Sequence, residues 1–144
     1  MLTWGHWYCI ARSRARNAIR VFRLDRMRSA ELLDGNEAGF EIPAGFAVGN
    51  YLDRAPWELS EDPAVPTRVR LGFPHSRWLI SEGLGRIVEA MDDAGGAILE
   101  FGVRAPDAFI RWLLPFGSQA EILEPASLAA RLEAEQGRIR ALYS

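Results

Sequence analysis

Arginine side chains are concentrated near the N-terminus of this 144-residue chain. The first 30 residues hold seven arginines and one acidic residue, Asp25, and so carry a net charge of +6, whereas the whole chain carries −2. The sequence contains no lysine, and the arginine guanidinium can donate two parallel hydrogen bonds to a phosphate or a carboxylate. This charge pattern is typical of an anion-binding face, and equally of a solvated strand face with its loop.

Two aromatic residues lie close in sequence to these arginines, and the candidate binding set is Trp7, Tyr8, Arg20, Arg23 and Arg26. Aromatic rings beside guanidinium groups can hold single-stranded nucleic acid or a nucleotide, because bases stack on the rings and phosphates pair with arginine. In the alternative interpretation, the two rings fill a core and the arginines are solvated. The spacing of the residues leaves both interpretations open.

The residue patterns of common catalytic and metal sites are missing from the sequence. His6 and His75 are far apart, and neither has a Cys or His partner at metal-ligand spacing. The sequence has no G-x-S-x-G turn and no glycine-rich phosphate loop, and Asp92 and Asp93 fall where a turn is expected. We therefore expect a binding protein and not an enzyme, with no metal and no cofactor.

The composition is that of a globular protein of one or two small units, with 49% apolar and 25% charged residues. No apolar run reaches the roughly 20 residues needed to span a bilayer, and the N-terminus does not resemble a signal peptide. A cytoplasmic location without membrane contact is the expectation. The single cysteine, Cys9, lies in an apolar strand pattern, which predicts a small buried thiol.

Strand and helix patterns follow one another in the first third of the chain. Residues 6–13 and 19–24 are rich in aromatic and β-branched side chains and flank a polar loop, which predicts a hairpin. Beyond it we expect a third strand over residues 26–33, a turn at Asp34–Gly35 and a short helix over residues 46–52.

Alternation along the second strand of this hairpin divides its arginines. Successive side chains of a strand point to opposite faces, so Val21 and Arg23 face one side while Arg20 and Phe22 face the other. Arg20 and Arg23 can therefore act at one site only if barrel curvature or a bulge brings the two faces together.

Prolines among acidic residues predict an extended linker over residues 56–65, which divides the chain into domains 1–55 and 66–144. The residue pattern of the second domain predicts the element order β-α-β-β-α-β followed by an extra helix. This is the order of a ferredoxin-like split β-α-β unit. The predicted segments are a strand over 65–73, a helix over 75–82, hairpin strands over 87–91 and 97–103, a helix from Pro106 to Gly117, a strand over 120–123, and a last helix from Pro125 whose apolar stripe is Leu128, Leu132, Ile139 and Leu142.

Several of these motifs resemble a known family. Trp7-Tyr8-Cys9, followed after a loop by RVFRLDR at residues 20–26, resembles the signature of the WYL domain family, with Cys9 in place of the usual Leu. WLLPFG at residues 112–117 and AEILEP at residues 120–125 resemble the extension that follows WYL domains. The resemblance covers nearly the whole chain.

This resemblance implies an α+β protein: a partial Sm-like, SH3-type β-barrel in residues 1–55, then a ferredoxin-like α/β sandwich with an extra C-terminal helix. It also implies bacterial transcription regulation, in which a winged helix-turn-helix reads operator DNA and the WYL barrel senses a ligand such as a nucleotide or nucleic-acid fragment. By motif match, the ligand residues would include Tyr8, Arg20, Arg23 and Arg26. The alternative, of another class, is a structural oligomerisation module without ligand, in which the arginines pair with the acidic second half.

The sequence departs from the family pattern at its start, because only Leu2–His6 lie between Met1 and the aromatic motif. We therefore expect promoter contact to need a helix-turn-helix that is absent from these 144 residues, and we expect part of the barrel to be missing. Since proteins normally cover an unpaired strand edge, either a second copy completes the barrel in a homodimer or the gene product starts upstream.

Overall fold

The computed structural model describes residues 1–32, 41–52, 54–60, 62–90 and 92–142. These residues form a mixed α+β structure with two antiparallel sheets and four α-helices. The chain divides into two compact units, Met1–Ala55 with Leu59–Glu61 and Pro56–Glu58 with Asp62–Ser144, called here the first and the second unit. Within the described residues, no helix is long and apolar enough to cross a membrane.

A three-stranded antiparallel sheet forms the first unit's regular structure, in the order β1 (Leu2–Thr3), β2 (His6–Ser13) and β3 (Ala18–Arg23). The turn between β1 and β2 consists of Trp4 and Gly5, which both have positive φ angles. Two such residues in succession match the right-handed twist of a tight hairpin. The hairpin predicted for β2 and β3 is confirmed, with β3 beginning and ending one residue earlier than expected.

Of the predictions for the rest of the first unit, the third strand is wrong and the short helix is confirmed in part. The chain forms a 3-10 helix over Leu24–Arg26, and residues 27–32 are exposed and belong to neither of the two described sheets. The short helix predicted over residues 46–52 is present but shorter, as α1 over Gly49–Leu52. Phe46 closes a turn before it, in which its N–H donates to the carbonyl oxygen of Pro43 and Gly45 has a φ of +86°. The expected turn at Asp34–Gly35 lies outside the described residues.

The second unit follows the element order predicted from the sequence. Its strands are β4 (Val65–Leu71), β5 (Arg86–Glu89), β6 (Ala97–Val103) and β7 (Ala120–Glu124), and its helices are α2 (His75–Ser81), α3 (Pro106–Leu113) and α4 (Ala126–Leu142). The four strands form one antiparallel sheet in the order β5-β6-β4-β7. The first and third strands are thus central, and the second and fourth are the edges.

Alternation along these strands gives the second unit one buried sheet face. Thr67, Val69 and Leu71 of β4 are buried while Arg68 and Arg70 between them are exposed, as expected when one face packs on a core. Aromatic rings of β6 and α3 meet on the buried side, where the centroids of Phe101 and Phe109 are 5.4 Å apart. This core supplies most of the apolar burial in the described chain.

The predicted extended linker is wrong at residues 56–58. These residues form a 3-10 helix, and the side chain of Trp57 is 1% exposed in the aromatic core. Its ring centroid lies 5.3 Å from that of Phe109, and its carbonyl oxygen accepts hydrogen bonds from the backbone N–H groups of Arg104 and Ala105. Proline and acidic composition indicated a solvated segment, but one large apolar side chain within it was enough to bring the backbone into the core.

The apolar stripe predicted for the last helix is only half buried. Leu128 and Leu132 are buried, whereas Ile139 and Leu142 are exposed. Every described residue from Gly137 onward is exposed, so the last turns of α4 extend beyond the core that covers its first half. Helical spacing predicted the shared face correctly, but the length of the neighbouring elements decides how much of it is covered.

We predict that Trp57→Ala destabilises the protein by about 3–5 kcal/mol, because it removes a fully buried indole and leaves a cavity. Urea unfolding followed by circular dichroism measures this free energy. Trp78→Ala is the matched control, since Trp78 is 45% exposed and its removal should cost clearly less. Equal losses for the two variants would show that Trp57 does not anchor the core.

Candidate nucleic-acid and anion-binding surface

The register of β2 and β3 determines which candidate residues share a face. Six consecutive residue pairs join the strands, from Tyr8 opposite Arg23 to Ser13 opposite Ala18, without a register shift. Residues directly opposite each other project to the same side of an antiparallel sheet. Tyr8 and Arg23 therefore share one face, and Trp7 and Arg20 lie on the other. Neither a bulge nor a register shift brings Arg20 and Arg23 together.

One face of this sheet, the inner face, is the more covered. It carries Tyr8, which is 7% exposed, and half-buried side chains on both strands, namely Ile10, Ile19, Val21 and Arg23. A tyrosine ring that is buried to this degree packs as part of a core and presents little surface to a ligand. The interpretation of the aromatic pair as core is thus supported for Tyr8 only.

Arg23 on the inner face is held by an acidic neighbour. Its Nε donates to Asp25 Oδ1 at 2.9 Å and its Nη2 donates to Asp25 Oδ2 at 2.5 Å, a two-pronged ion pair. The hydrogen bonds from Arg23 hold the pKa of the Asp25 carboxyl below its usual value, and the same bonds raise the pKa of Arg23. His6 Nδ1 lies 3.7 Å from Asp25 Oδ2. Arg23 therefore already binds a carboxylate of its own chain.

The opposite side of the sheet, the open face, is more exposed. Trp7 is 59% exposed and Phe22 is 39% exposed, and Arg20 is half-buried on the same side. Leu2, Cys9, Ala11, Ser13 and Ala18 also lie on the open face by strand pairing and alternation. The prediction that Cys9 is buried is wrong, because it projects to the side opposite Tyr8.

Phe22 was not among the binding residues predicted from the sequence. The signal for it was present, because alternation placed it with Arg20, but the pairing register is needed to place it with Trp7. The structure thus divides the predicted set between faces and adds one exposed aromatic residue to the group of Trp7 and Arg20.

The remaining arginines of this segment lie near the ends of the hairpin. Arg26 is the exposed last residue of the 3-10 helix. Arg12 Nη2 donates to Asn17 Oδ1 at 2.6 Å across the β2–β3 loop, where Asn17 adopts a positive φ angle. Arg12 thus stabilises the turn, in agreement with the interpretation of a strand end and loop.

The exposed sheet face of the second unit differs in charge from the open face. Its arginines are paired with glutamates: Arg86 Nη2 lies 2.6 Å from Glu100 Oε1, and Arg70 Nη1 lies 2.5 Å from Glu121 Oε2. Hydrogen bonds from Arg86 lower the pKa of Glu100. A cavity of about 430 Å³ beside this sheet is lined by Arg70 together with three acidic residues, Glu89, Asp92 and Glu121. This surface is poorly suited to a phosphate.

No group of three or more His, Cys, Asp or Glu side chains within the described part of the chain could hold a metal ion.

Comparison with known families identifies both units. A WYL domain model matches residues 1–32. A WCX domain model matches residues 63–139, and this second match alone covers more than half of the chain. The chain belongs to the family of WYL-domain transcriptional regulators, with a WYL domain followed by a WCX domain. The resemblance inferred from the aromatic and arginine motifs is confirmed.

Individual relatives have similar degrees of identity. Protein PafB of Mycobacterium tuberculosis is 27% identical over 139 residues, which cover 94% of this chain and 41% of PafB. YobV of Bacillus subtilis, named as an uncharacterised HTH-type transcriptional regulator, is 26% identical over 144 residues, which cover 96% of this chain and 43% of YobV. The chain thus spans about two-fifths of the length of these relatives.

Among solved structures, the proteasome accessory factor B/C of Arthrobacter aurescens matches 89% of this chain and 19% of its own, with 27% identity and a TM-score of 0.41.

We predict that the Arg23–Asp25 pair makes stability depend on pH. Because the folded-state pKa of Asp25 is lowered, its contribution is present above the unfolded-state value of about 3.9 and is lost as the pH falls through the folded-state pKa. Asp25→Asn should therefore lower the melting temperature by no more than a few degrees at neutral pH, and the difference should vanish in acid. Asp93→Asn, at an exposed turn, is the control. A difference that persists in acid would contradict this role.

Proposed function

We propose that this chain is the regulatory part of a WYL-type transcriptional regulator and binds an anionic effector, a nucleotide or single-stranded nucleic acid, through its first unit. Family membership supports a regulatory role. The single observation that carries the ligand class is the first sheet, which presents exposed aromatic rings and an arginine on one face of a segment with a net charge of +6. Stacking and phosphate pairing need this combination.

Within this proposal the predicted site residues have different roles. Trp7 and Arg26 contact the effector through exposed side chains. Arg20 contacts it because its guanidinium has no carboxylate bound to it within the described residues. Tyr8 and Arg23 hold the hairpin in place, since the ring is buried and the guanidinium is bound by Asp25. The module acts by binding and not by catalysis.

The proposal includes a fold for each unit, an Sm-like barrel for the first and a ferredoxin-like sandwich for the second. The order β5-β6-β4-β7 with connecting helices supports a ferredoxin-like second unit, and the WYL match supports assigning the first unit to an Sm-like barrel. Promoter contact is assigned to a helix-turn-helix domain, the feature for which the YobV relative is named, and the protein acts in the cytoplasm, where promoters are.

A second candidate function is favoured by the exposed apolar side chains of Leu2, Trp7 and Phe22. Contiguous apolar surface on a soluble protein marks interaction sites, and a second copy of the chain could cover it in a homodimer without any effector. The two candidates differ in a simple measurement. A ligand that binds the folded state raises the melting temperature with its concentration, whereas a purely structural dimer is stabilised only by its own concentration.

We predict that a fluorescently labelled oligo-dT of about ten nucleotides binds the protein, with an affinity that falls steeply as salt rises. Fluorescence anisotropy over a salt series gives the slope of log K against log salt, whose magnitude grows by about 0.7 for each phosphate contacted in a single strand. Arg26→Gln should reduce the slope, and Arg77→Gln, on the exposed side of α2, is the control. Affinity that does not depend on salt would rule out phosphate contacts.

A further inference from the structure

We propose that the open face of the first sheet is a two-base stacking platform, in which Trp7 and Phe22 each stack on one base of a single strand and Arg20 pairs with a phosphate. This inference rests on the proposed function and assigns it to one face. It also gives Phe22, absent from the site that the sequence predicted, a direct role in binding.

Strand register places the two rings at a suitable separation. Phe22 is directly opposite Cys9, and Trp7 is two residues before Cys9 on the same side of β2. Diagonal neighbours of this kind on adjacent antiparallel strands are about 7–8 Å apart. The two rings can therefore receive separate bases.

The charge of the open face favours nucleic acid over an apolar protein partner. The strand positions on this side are Leu2, Trp7, Cys9, Ala11, Ser13, Ala18, Arg20 and Phe22, and none of them is acidic. Arg20 makes no ion pair within the described residues, in contrast to Arg23. The one acidic residue of the segment, Asp25, is bound to Arg23 and lies near His6, both residues of the inner face. An aromatic surface with an unneutralised guanidinium complements a flat, anionic ligand.

Burial excludes the inner face as the stacking surface. A base needs the face of a ring, and Tyr8 is 7% exposed, so stacking there would require the sheet to separate from the side chains that cover it. A phosphate at Arg23 would have to displace the Asp25 carboxylate from a two-pronged ion pair. Trp7, Phe22 and Arg20 need neither change.

The test is a set of matched variants in the same oligo-dT titration. Trp7→Ala and Phe22→Ala should each weaken binding roughly five- to 150-fold, the loss expected for one stacked base. Phe22→Tyr keeps a ring and should restore the affinity, while Leu2→Ala removes an apolar side chain from the same face without removing a ring and should change it little. Melting temperatures of the variants check that each is folded.

The two arginines provide the comparison between faces. Arg20→Gln should reduce the salt slope by about 0.7, whereas Arg23→Gln should keep the slope of the wild type. If Arg23→Gln reduces the slope and Arg20→Gln does not, the open face is not the site, although the proposed function stands. If the wild type binds no oligo-dT at low salt, both the stacking platform and the proposed function are wrong.

Cys9 gives an independent readout on the unaltered protein. It is the only cysteine, is exposed, and lies on the open face directly opposite Phe22 and two residues from Trp7, so a bound strand should slow its alkylation by iodoacetamide. An alkylation rate that is equal with and without saturating oligo-dT would overturn the platform. Trp7→Ala and Phe22→Ala variants that turn a dimer into a monomer, without changing oligo-dT affinity, would instead show a face between two copies of the chain.

Discussion

The antiparallel pairing of β2 with β3 is the constraint on which the candidate site depends. Because six pairs run without a shift, the side of every side chain in the hairpin is determined once one of them is buried. Because Tyr8 is buried on the inner face, Arg23 opposite it lies on that face too, and Trp7, Phe22 and Arg20 lie on the open face. A slip of β3 by one residue would move Arg20 and Phe22 to the inner face and Arg23 to the open face, while Trp7 and Tyr8 kept their sides.

Charge then separates arginines that look alike in the sequence. Arg23 is two residues before Asp25, and the chain turns into a 3-10 helix there, so the carboxylate meets the guanidinium in a two-pronged pair. Arg20 lies three residues before Arg23 on the other side of the strand and makes no ion pair within the described residues. In the second unit, cross-strand pairs such as Arg86 with Glu100 neutralise the exposed sheet. The net charge of a segment is therefore a weaker guide to binding than the partner of each group.

The second unit shows how one side chain can change the role of a segment. Residues 56–58 have the composition of a linker, yet Trp57 is buried against Phe101, Phe109 and Trp112. The Trp57 carbonyl oxygen also accepts hydrogen bonds from the N–H groups of Arg104 and Ala105, the two residues that precede α3. The aromatic core thus includes a residue that precedes the first strand of its sheet.

The sequence by itself determined the periods of the elements, because alternation and helical spacing are local properties. It predicted β2 to the residue, β3 to within one, the element order of the second unit and the family motifs around Trp7 and Arg20. Only the tertiary structure decided which strands pair, which side chains are buried and how far along each helix the core extends. It showed that Cys9 and Phe22 are exposed, that residues 27–32 lie outside the two described sheets, that Trp57 is buried, and that Ile139 and Leu142 are not. Each of these outcomes depends on residues distant in sequence, which no local pattern specifies.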